Sequence, residues 1–256
     1  MSALLETRGL SKTFGGLKAV QNVDLCVGEN RIVSVIGPNG AGKTTFFNCL
    51  SGIYRPDGGE ILLDGQNIAG RPPHQVCRLG MARTFQNIRL FPEMTVLENV
   101  LVAQFQHRSL LPLPLLLRSR GFCSSEQACR EEALGFLDFV GLRAHAERVS
   151  GSLAYGQQRR LEIARALATK PRLLLLDEPA AGMNPQEALE MVQLISRIRE
   201  RGLAILLIEH HMKVVMTISD EILVLDHGVP IAHGAPGDVR NDPQVIKAYL
   251  GEEATH

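Results

Sequence analysis

The run Gly37-Pro-Asn-Gly-Ala-Gly-Lys-Thr44 constrains the fold of this chain more than any other segment. It fits the pattern G-x-x-x-x-G-K-[ST] and stands between a short β-branched apolar stretch, residues 31–36, and a segment after Lys43 that reads as a helix. A strand feeding a glycine-rich turn that feeds a helix is the setting in which such a loop binds phosphate. The glycines let several backbone N–H groups converge on one anion, and the helix contributes its positive N-terminal end. Gly37, Pro38, Asn39, Gly40, Ala41, Gly42, Lys43, Thr44 and Thr45 are therefore candidate nucleotide contacts. Lys43 supplies a mobile charge for the outer phosphates, and the Thr44 hydroxyl suits Mg2+, which takes hard oxygen ligands. A purely structural glycine turn accounts poorly for the whole eight-residue match in this setting.

Residues 172–177 and 203–209 are nearly continuous apolar runs of the kind found in strands covered on both faces, and residues 81–85 read as a further short strand. Helical segments at 156–169 and 185–201 alternate with them, as in a parallel sheet with crossover helices. The expected fold class is α/β, a P-loop NTPase core with a mainly parallel sheet. Residues 19–27 alternate apolar and polar side chains, and residues 60–66 read as a strand running into a turn at Asp64-Gly65, which indicates a small antiparallel β subdomain. Between residues 88 and 149 the character changes: 95–105 and 126–140 show helical spacing with no strand evident, so this stretch reads as a helical subdomain. Its middle, residues 107–125, reads as a loop or short hydrophobic patch, a packed surface excursion rather than a membrane-touching element.

Composition narrows the partners. Lys plus Arg is 27 and Asp plus Glu is 27, so no overall basic field draws the chain to nucleic acid. Cys26, Cys49, Cys77, Cys123 and Cys129 are odd in number, scattered and without a C-x-x-C pair, which indicates neither a disulfide framework nor a zinc site and fits a reducing cytoplasm. Residues 1–8 lack the basic flank and apolar stretch of a secretory signal. The longest apolar run, 110–117, is interrupted by Pro112 and Pro114 and is far shorter than the roughly 20 residues that span a bilayer. A membrane role is expected to come through a partner.

Leu173-Leu-Leu-Leu-Asp-Glu178 offers the second half of a phosphate site: an apolar strand carrying two acids at its C-terminal end, where ligands of open α/β sheets collect. Asp177 would anchor the Mg2+ shell, and Glu178 would polarise the attacking water. Such a pair alone is as often a solvated strand end; together with the glycine loop the catalytic reading is the stronger.

Shortly before that strand stands Ser150-Gly-Ser-Leu-Ala-Tyr-Gly-Gln-Gln-Arg-Arg-Leu-Glu-Ile-Ala-Arg-Ala-Leu167, and here the chain resembles an ABC transporter ATPase. Leu153-Ala-Tyr-Gly-Gln157 takes the place of that family's L-S-G-G-Q signature, with Ala154 where the serine usually stands. The resemblance implies that Ala154, Tyr155, Gly156 and Gln157 face ATP held by an opposite subunit. It implies further that Phe14 stacks on adenine, that Gln86 joins the Mg2+ site to the helical subdomain, and that His210 senses the γ-phosphate. His211 is the competing candidate, and alignment to the strand end favours His210. Asn184 stands where the family usually has an aspartate closing the loop after Pro179.

The likeness runs from Leu5 nearly to the C-terminus and is narrower toward the ATPase subunits of branched-chain amino-acid importers. Leu153-Ala-Tyr-Gly-Gln-Gln-Arg159, Asp177-Glu-Pro-Ala-Ala-Gly182, Ile208-Glu-His210 and Asp242-Pro-Gln-Val-Ile-Lys-Ala-Tyr-Leu-Gly251 carry it. By that resemblance the chain is one ABC ATPase domain over 1–256. Residues 1–87 and 157–256 form the nucleotide-binding core with its β subdomain, and 88–156 form the helical subdomain with the signature. The expected cofactors are ATP and Mg2+. The expected partners are a second ABC ATPase subunit, identical or paralogous, transmembrane permease subunits and, indirectly, a solute-binding protein, with no nucleic acid. The chain would lie on the cytoplasmic face of the inner (plasma) membrane, held there by the permeases, and hydrolyse ATP to power uptake of branched-chain or other hydrophobic amino acids.

The alternatives are a related system for another solute or for lipid export, or a non-transport P-loop ATPase. A GTPase or kinase would show N-K-x-D or an acceptor lid, and an ABC ATPase acting on nucleic acid or ribosomes would show fused cassettes, a long coiled coil or zinc cysteines.

Overall fold

The computed structural model describes residues 3–104 and 120–253. The chain divides into two compact units, Met1–Gln86 with Arg172–His256, and Asn87–Pro171.

The first unit holds two sheets. Strands β1 (Ala3–Phe14), β2 (Leu17–Gly28), β4 (Gly58–Leu63) and β5 (Gln66–Asn67) form an antiparallel sheet in the order β2-β1-β4-β5. The β4-β5 connection is the expected turn, with Asp64 and Gly65 at φ 50 and 73°, the left-handed pair that a two-residue hairpin needs. The second sheet has the order β10-β9-β3-β8-β7-β6. Its strands are β3 (Ile32–Ile36), β6 (Met81–Arg83), β7 (Leu173–Asp177), β8 (Ala204–Ile208), β9 (Glu221–Asp226) and β10 (Val229–Gly234). All its pairings are parallel except β9 with β10.

Every residue of β3, β7 and β8 is buried, which is why these runs are continuously apolar rather than alternating. Successive side chains serve opposite faces. Val33, Val35, Leu223 and Leu225 pack with Phe46, Phe47, Leu5 and Ile61 on one side, while Ile36, Ile222 and Val224 pack with Val215, Val239 and Val245 on the other. Phe46 and Phe47 belong to α1 (Lys43–Leu50). Val215, Val239 and Val245 belong to α7 (Met212–Ile218), α8 (Pro236–Arg240) and α9 (Pro243–Glu253). Each such buried aliphatic side chain contributes about 1.5–3 kcal/mol. The short helix α2 (Pro73–Arg78) precedes β6, and α6 (Pro185–Glu200) links β7 to β8.

The second unit is helical: α3 (Val96–Gln104), α4 (Arg120–Phe139) and α5 (Tyr155–Ala168) bury Val96, Val100, Ala133, Leu137, Leu161 and Ala164. Buried Asn99 ties its loops together, donating to the carbonyls of Phe91 (3.1 Å) and Thr95 (3.0 Å) and to Ser150 Oγ (3.1 Å). Two boundaries differ from the sequence expectation. Residues 157–171 cluster with the helical unit rather than with the core, because α5 packs against α3 and α4. Helix α4 begins at Arg120, six positions before the predicted start, so residues 120–125 are helix and not loop. Glycine and serine there are only a weak prior against helix. The remainder of the predicted 107–125 excursion, including the apolar run 110–117, lies outside the described residues. Among the described residues no helix is long and apolar enough to cross a membrane.

Candidate functional site

The loop from Gly37 to Gly42 leaves the end of β3 and enters α1, as the strand–turn–helix reading requires. Two of its glycines are obligatory. A Cβ on Gly37 (φ 147°) would lie 2.0 Å from the Leu225 carbonyl oxygen, and one on Gly42 (φ 97°) 2.2 Å from that of Ala19. The Ala41 carbonyl accepts from Gly228 N (3.0 Å), which moors the loop to the β9-β10 turn. Lys43 Nζ donates to the carbonyls of Gly37 (2.6 Å) and Pro38 (2.7 Å), so the ammonium is held over the loop. Beside it opens a cleft of about 380 Å³ lined by Phe14, Asn39 to Thr45, Gln86 and Glu178, with Leu17, Lys18, Ala19, His227 and Gly228 completing the wall. Phe14 is half exposed, set edge-on to Tyr54 with ring centroids 5.2 Å apart and with Lys12 Nζ 5.2 Å from its own centroid. An exposed ring beside a phosphate loop is placed to receive a flat base.

Asp177 closes β7 and is buried. Its Oδ2 accepts from Arg83 Nη2 at 2.8 Å, both side chains being shut off from solvent. Arg83, from β6, also donates to Asn48 Oδ1 (2.7 Å) and Ser51 Oγ (2.8 Å) at the far end of α1, and its Cζ lies 5.6 Å from the Phe47 ring centroid and 5.1 Å from that of Phe85. One guanidinium thus fixes both the acidic strand and the helix that carries Thr44. Thr44 and Gln86 line the cleft and Asp177 closes β7; the Thr44 hydroxyl, the Asp177 carboxylate and the Gln86 amide offer hard oxygens of the type Mg2+ selects, and on that chemistry the residues fit the cation.

Glu178 has φ 48°, a left-handed backbone unusual for a non-glycine residue, pinned by its N–H on the Ile208 carbonyl (2.9 Å). Its Oε2 accepts from Gln86 Nε2 at 3.0 Å and lies 3.7 Å from His210 Nδ1. Three residues distant in sequence therefore meet at one carboxylate oxygen. The rings of His210 and His211 stack with centroids 4.2 Å apart; His210 points to Glu178, whereas His211 Nδ1 is 3.2 Å from Glu209 Oε2. The two histidine candidates thus face different carboxylates.

In the helical unit, Leu153 to Gln157 forms the entry to α5. Gln157 Oε1 accepts from Ala154 N (3.2 Å), while Ala154 has no oxygen to return the bond, leaving half of a capping box. The Tyr155 hydroxyl is turned along its own helix and accepts from Arg159 Nη2 at 2.9 Å. Gly156 lies in the first turn, half-buried. Asn184 caps α6: its Oδ1 accepts from Glu187 N and Glu187 Oε2 accepts from Asn184 N, both at 3.0 Å. A neutral amide therefore has a local task that explains its presence without a charge.

Neither Arg83 nor Glu209 is singled out as a site residue by the sequence, although Glu209 stands inside the Ile208-Glu-His210 run. What sets them apart in the sequence is a charged residue inside or at the end of an otherwise apolar strand, which only burial makes informative.

Residues 20–181 match the ABC transporter family, and residues 229–255 match the branched-chain amino acid ATP-binding cassette transporter family. The chain is 54% identical over 250 residues to the high-affinity branched-chain amino acid transport ATP-binding protein BraF of Pseudomonas aeruginosa, covering 97% of this chain and 98% of that one. It is 52% identical over 250 residues, with the same coverage, to LivG of Escherichia coli, which bears the same description. Among solved structures, it resembles the ADP conformation of an ATP-binding cassette of an ABC transporter (31% identity, TM-score 0.85, 98% and 100% covered). It also resembles a dimeric bacterial ABC transporter cassette (26% identity, TM-score 0.77, 91% and 98% covered).

Proposed function

The chain belongs to the ABC transporter family of ATP-hydrolysing cassettes, and from that membership we propose that it is the ATPase subunit of an importer for branched-chain or similar hydrophobic amino acids. The observation that carries this reading is the identity of more than half of its residues, across nearly the whole length, with BraF and LivG. The separate match at 229–255 to the branched-chain cassette family supports the same solute class. Partner permeases would hold the chain at the cytoplasmic face of the membrane, and a second cassette, identical or paralogous, would complete each ATP site with its signature turn at Ala154 to Gln157.

Phe14 would stack on the adenine, and the N–H groups of the loop from Gly37 to Thr45 would hold the phosphates with Lys43 at the outer pair. Thr44, Asp177 and Gln86 would hold Mg2+, which when bound neutralises charge on the phosphate oxygens. Glu178 would take the proton of the attacking water, and His210 would fix the geometry of that carboxylate and the γ-phosphate. Replacement of Glu178 by Gln should lower kcat by about 10²–10⁴-fold while ATP affinity is kept, because an amide cannot accept the proton. Near-normal turnover would overturn the assignment.

The transport reading is tested by purifying the chain with its membrane partners, reconstituting the complex and adding leucine together with the solute-binding protein. ATP hydrolysis should rise. Stimulation by an unrelated solute or by a lipid, with none by branched-chain amino acids, would replace the proposed substrate.

A further inference from the structure

Glu209 is fully buried at the end of β8, and among the described residues no lysine or arginine pairs with its carboxylate; what surrounds it is a set of donors. Oε1 accepts from Ala180 N at 3.0 Å. Oε2 accepts from His210 N at 3.1 Å, from His211 N at 3.3 Å and faces His211 Nδ1 at 3.2 Å. A buried carboxylate is costly unless its lone pairs are satisfied, and hydrogen bonds to an ionised acceptor are about twice as strong as neutral ones. These four contacts join two segments remote in sequence: the turn that begins with Glu178 and the turn that carries both histidines. Glu178 itself sits in a left-handed conformation, with its N–H on the Ile208 carbonyl one residue before Glu209.

We infer that Glu209 is a positioning residue that clamps the backbone following Glu178 to the backbone of His210 and His211, and so fixes the 3.7 Å approach of His210 Nδ1 to Glu178 Oε2. The inference rests on the catalytic reading of Glu178 and His210 given above. Only a carboxylate satisfies this geometry, since it accepts at both ends. A glutamine must turn its NH2 either toward Ala180 N or toward the two histidine N–H groups, so one arm of the clamp meets a donor whichever way the amide lies. The contact also fixes a proton. With Oε2 as an acceptor, neutral His211 carries its hydrogen on Nδ1.

The test uses the full chain with Mg-ATP. Glu209→Gln is the principal variant because it keeps volume, and Glu209→Ala accompanies it; should the alanine form fail to fold, the glutamine form decides. Glu209→Gln is expected to lower kcat about tenfold or more while the ATP dissociation constant moves less than about twofold, since misplacing the reacting groups leaves the phosphate loop intact. Nitrogen-15 spectra of the histidines should show Nδ1–H at His211 in the wild-type chain and lose that signature in Glu209→Ala, which offers no acceptor. In a His210→Ala background the same substitution should add little, because the two residues act as one unit. Turnover within about twofold of wild type, loss of turnover and ATP affinity in parallel, or an Nε2–H His211 in the wild type would each overturn the clamp. Failure of the underlying assignment is seen separately, as undiminished turnover in Glu178→Gln with Glu209 intact.

Discussion

Arg83 and Asp177 share a volume from which water is excluded, with side-chain exposures of 6% and 4%. Truncating one partner of such a pair leaves the other charge buried and unpaired, which typically costs about 3–5 kcal/mol. Arg83→Met should therefore lower the denaturant midpoint of the core steeply. Arg83→Lys should lose less, keeping the charge but not the fork that reaches Asn48 and Ser51. Unfolding curves for the two variants check both expectations, and a lysine form as stable as wild type would show that the fork is idle. Cys49, buried near the C-terminal end of α1, makes a chemical prediction. Burial pushes its thiol up to about 11, so at pH 8 about one molecule in a thousand carries the reactive thiolate. Iodoacetamide should leave Cys49 unlabelled in the native chain and modify it after denaturation, as peptide mass analysis would show. At this scale the phosphate loop was plain from the sequence because glycine and lysine spacing records a backbone shape. The Arg83 contact was not, because its polar partners lie on two other segments, α1 and β7.

Elements were legible where the burial pattern is simple. β3, β7 and β8 announced themselves as uninterrupted apolar runs because both faces are covered, and α6 did so through its Pro185 start and apolar spacing. Strand β1 was not distinguished, since it mixes Thr, Arg, Ser and Lys with its leucines and carries shifts of register against both neighbours. The start of α4 was missed for a different reason: glycine and serine argue locally for a loop. Asn184 gives the element-scale test. Asn184→Ala removes the cap of α6 and should destabilise the chain by about 1 kcal/mol, whereas Asn184→Asp keeps an acceptor at the helix N-terminus and should not. Hydrogen exchange in the first turn of α6, read beside the thermal midpoint, separates the two.

On the scale of the whole molecule, the core unit is made from two stretches of chain, and the helical unit interrupts it between Gln86 and Arg172. The parallel pairing of β6 with β7 means that a core lacking 87–171 needs a crossover of roughly a dozen residues, not a tight turn, to join its ends. Such a shortened chain should retain the circular dichroism of an α/β core and bind ATP, yet hydrolyse none, since Ala154 to Gln157 leave with the excised segment. Measurable turnover would show that the signature turn is dispensable. Calorimetric titration with ATP alongside a phosphate-release assay makes the comparison. The alternation of strands and helices makes this core legible in the sequence, while the edge of the helical unit is not, because α5 reads the same on either side of Gln157.

The place of β3 in the sheet bears on how the protein is made. This strand delivers the phosphate loop, and its two neighbours, β8 and β9, both come from far later in the chain. A nascent polypeptide emerging from the ribosome therefore carries β3 with both edges open until β8 and β9 have been made, a long exposure of a sticky strand during which chaperones are the natural cover. Affinity for ATP, by the same order of events, arrives late and in one step, so nucleotide is captured by finished molecules and passes over truncated ones.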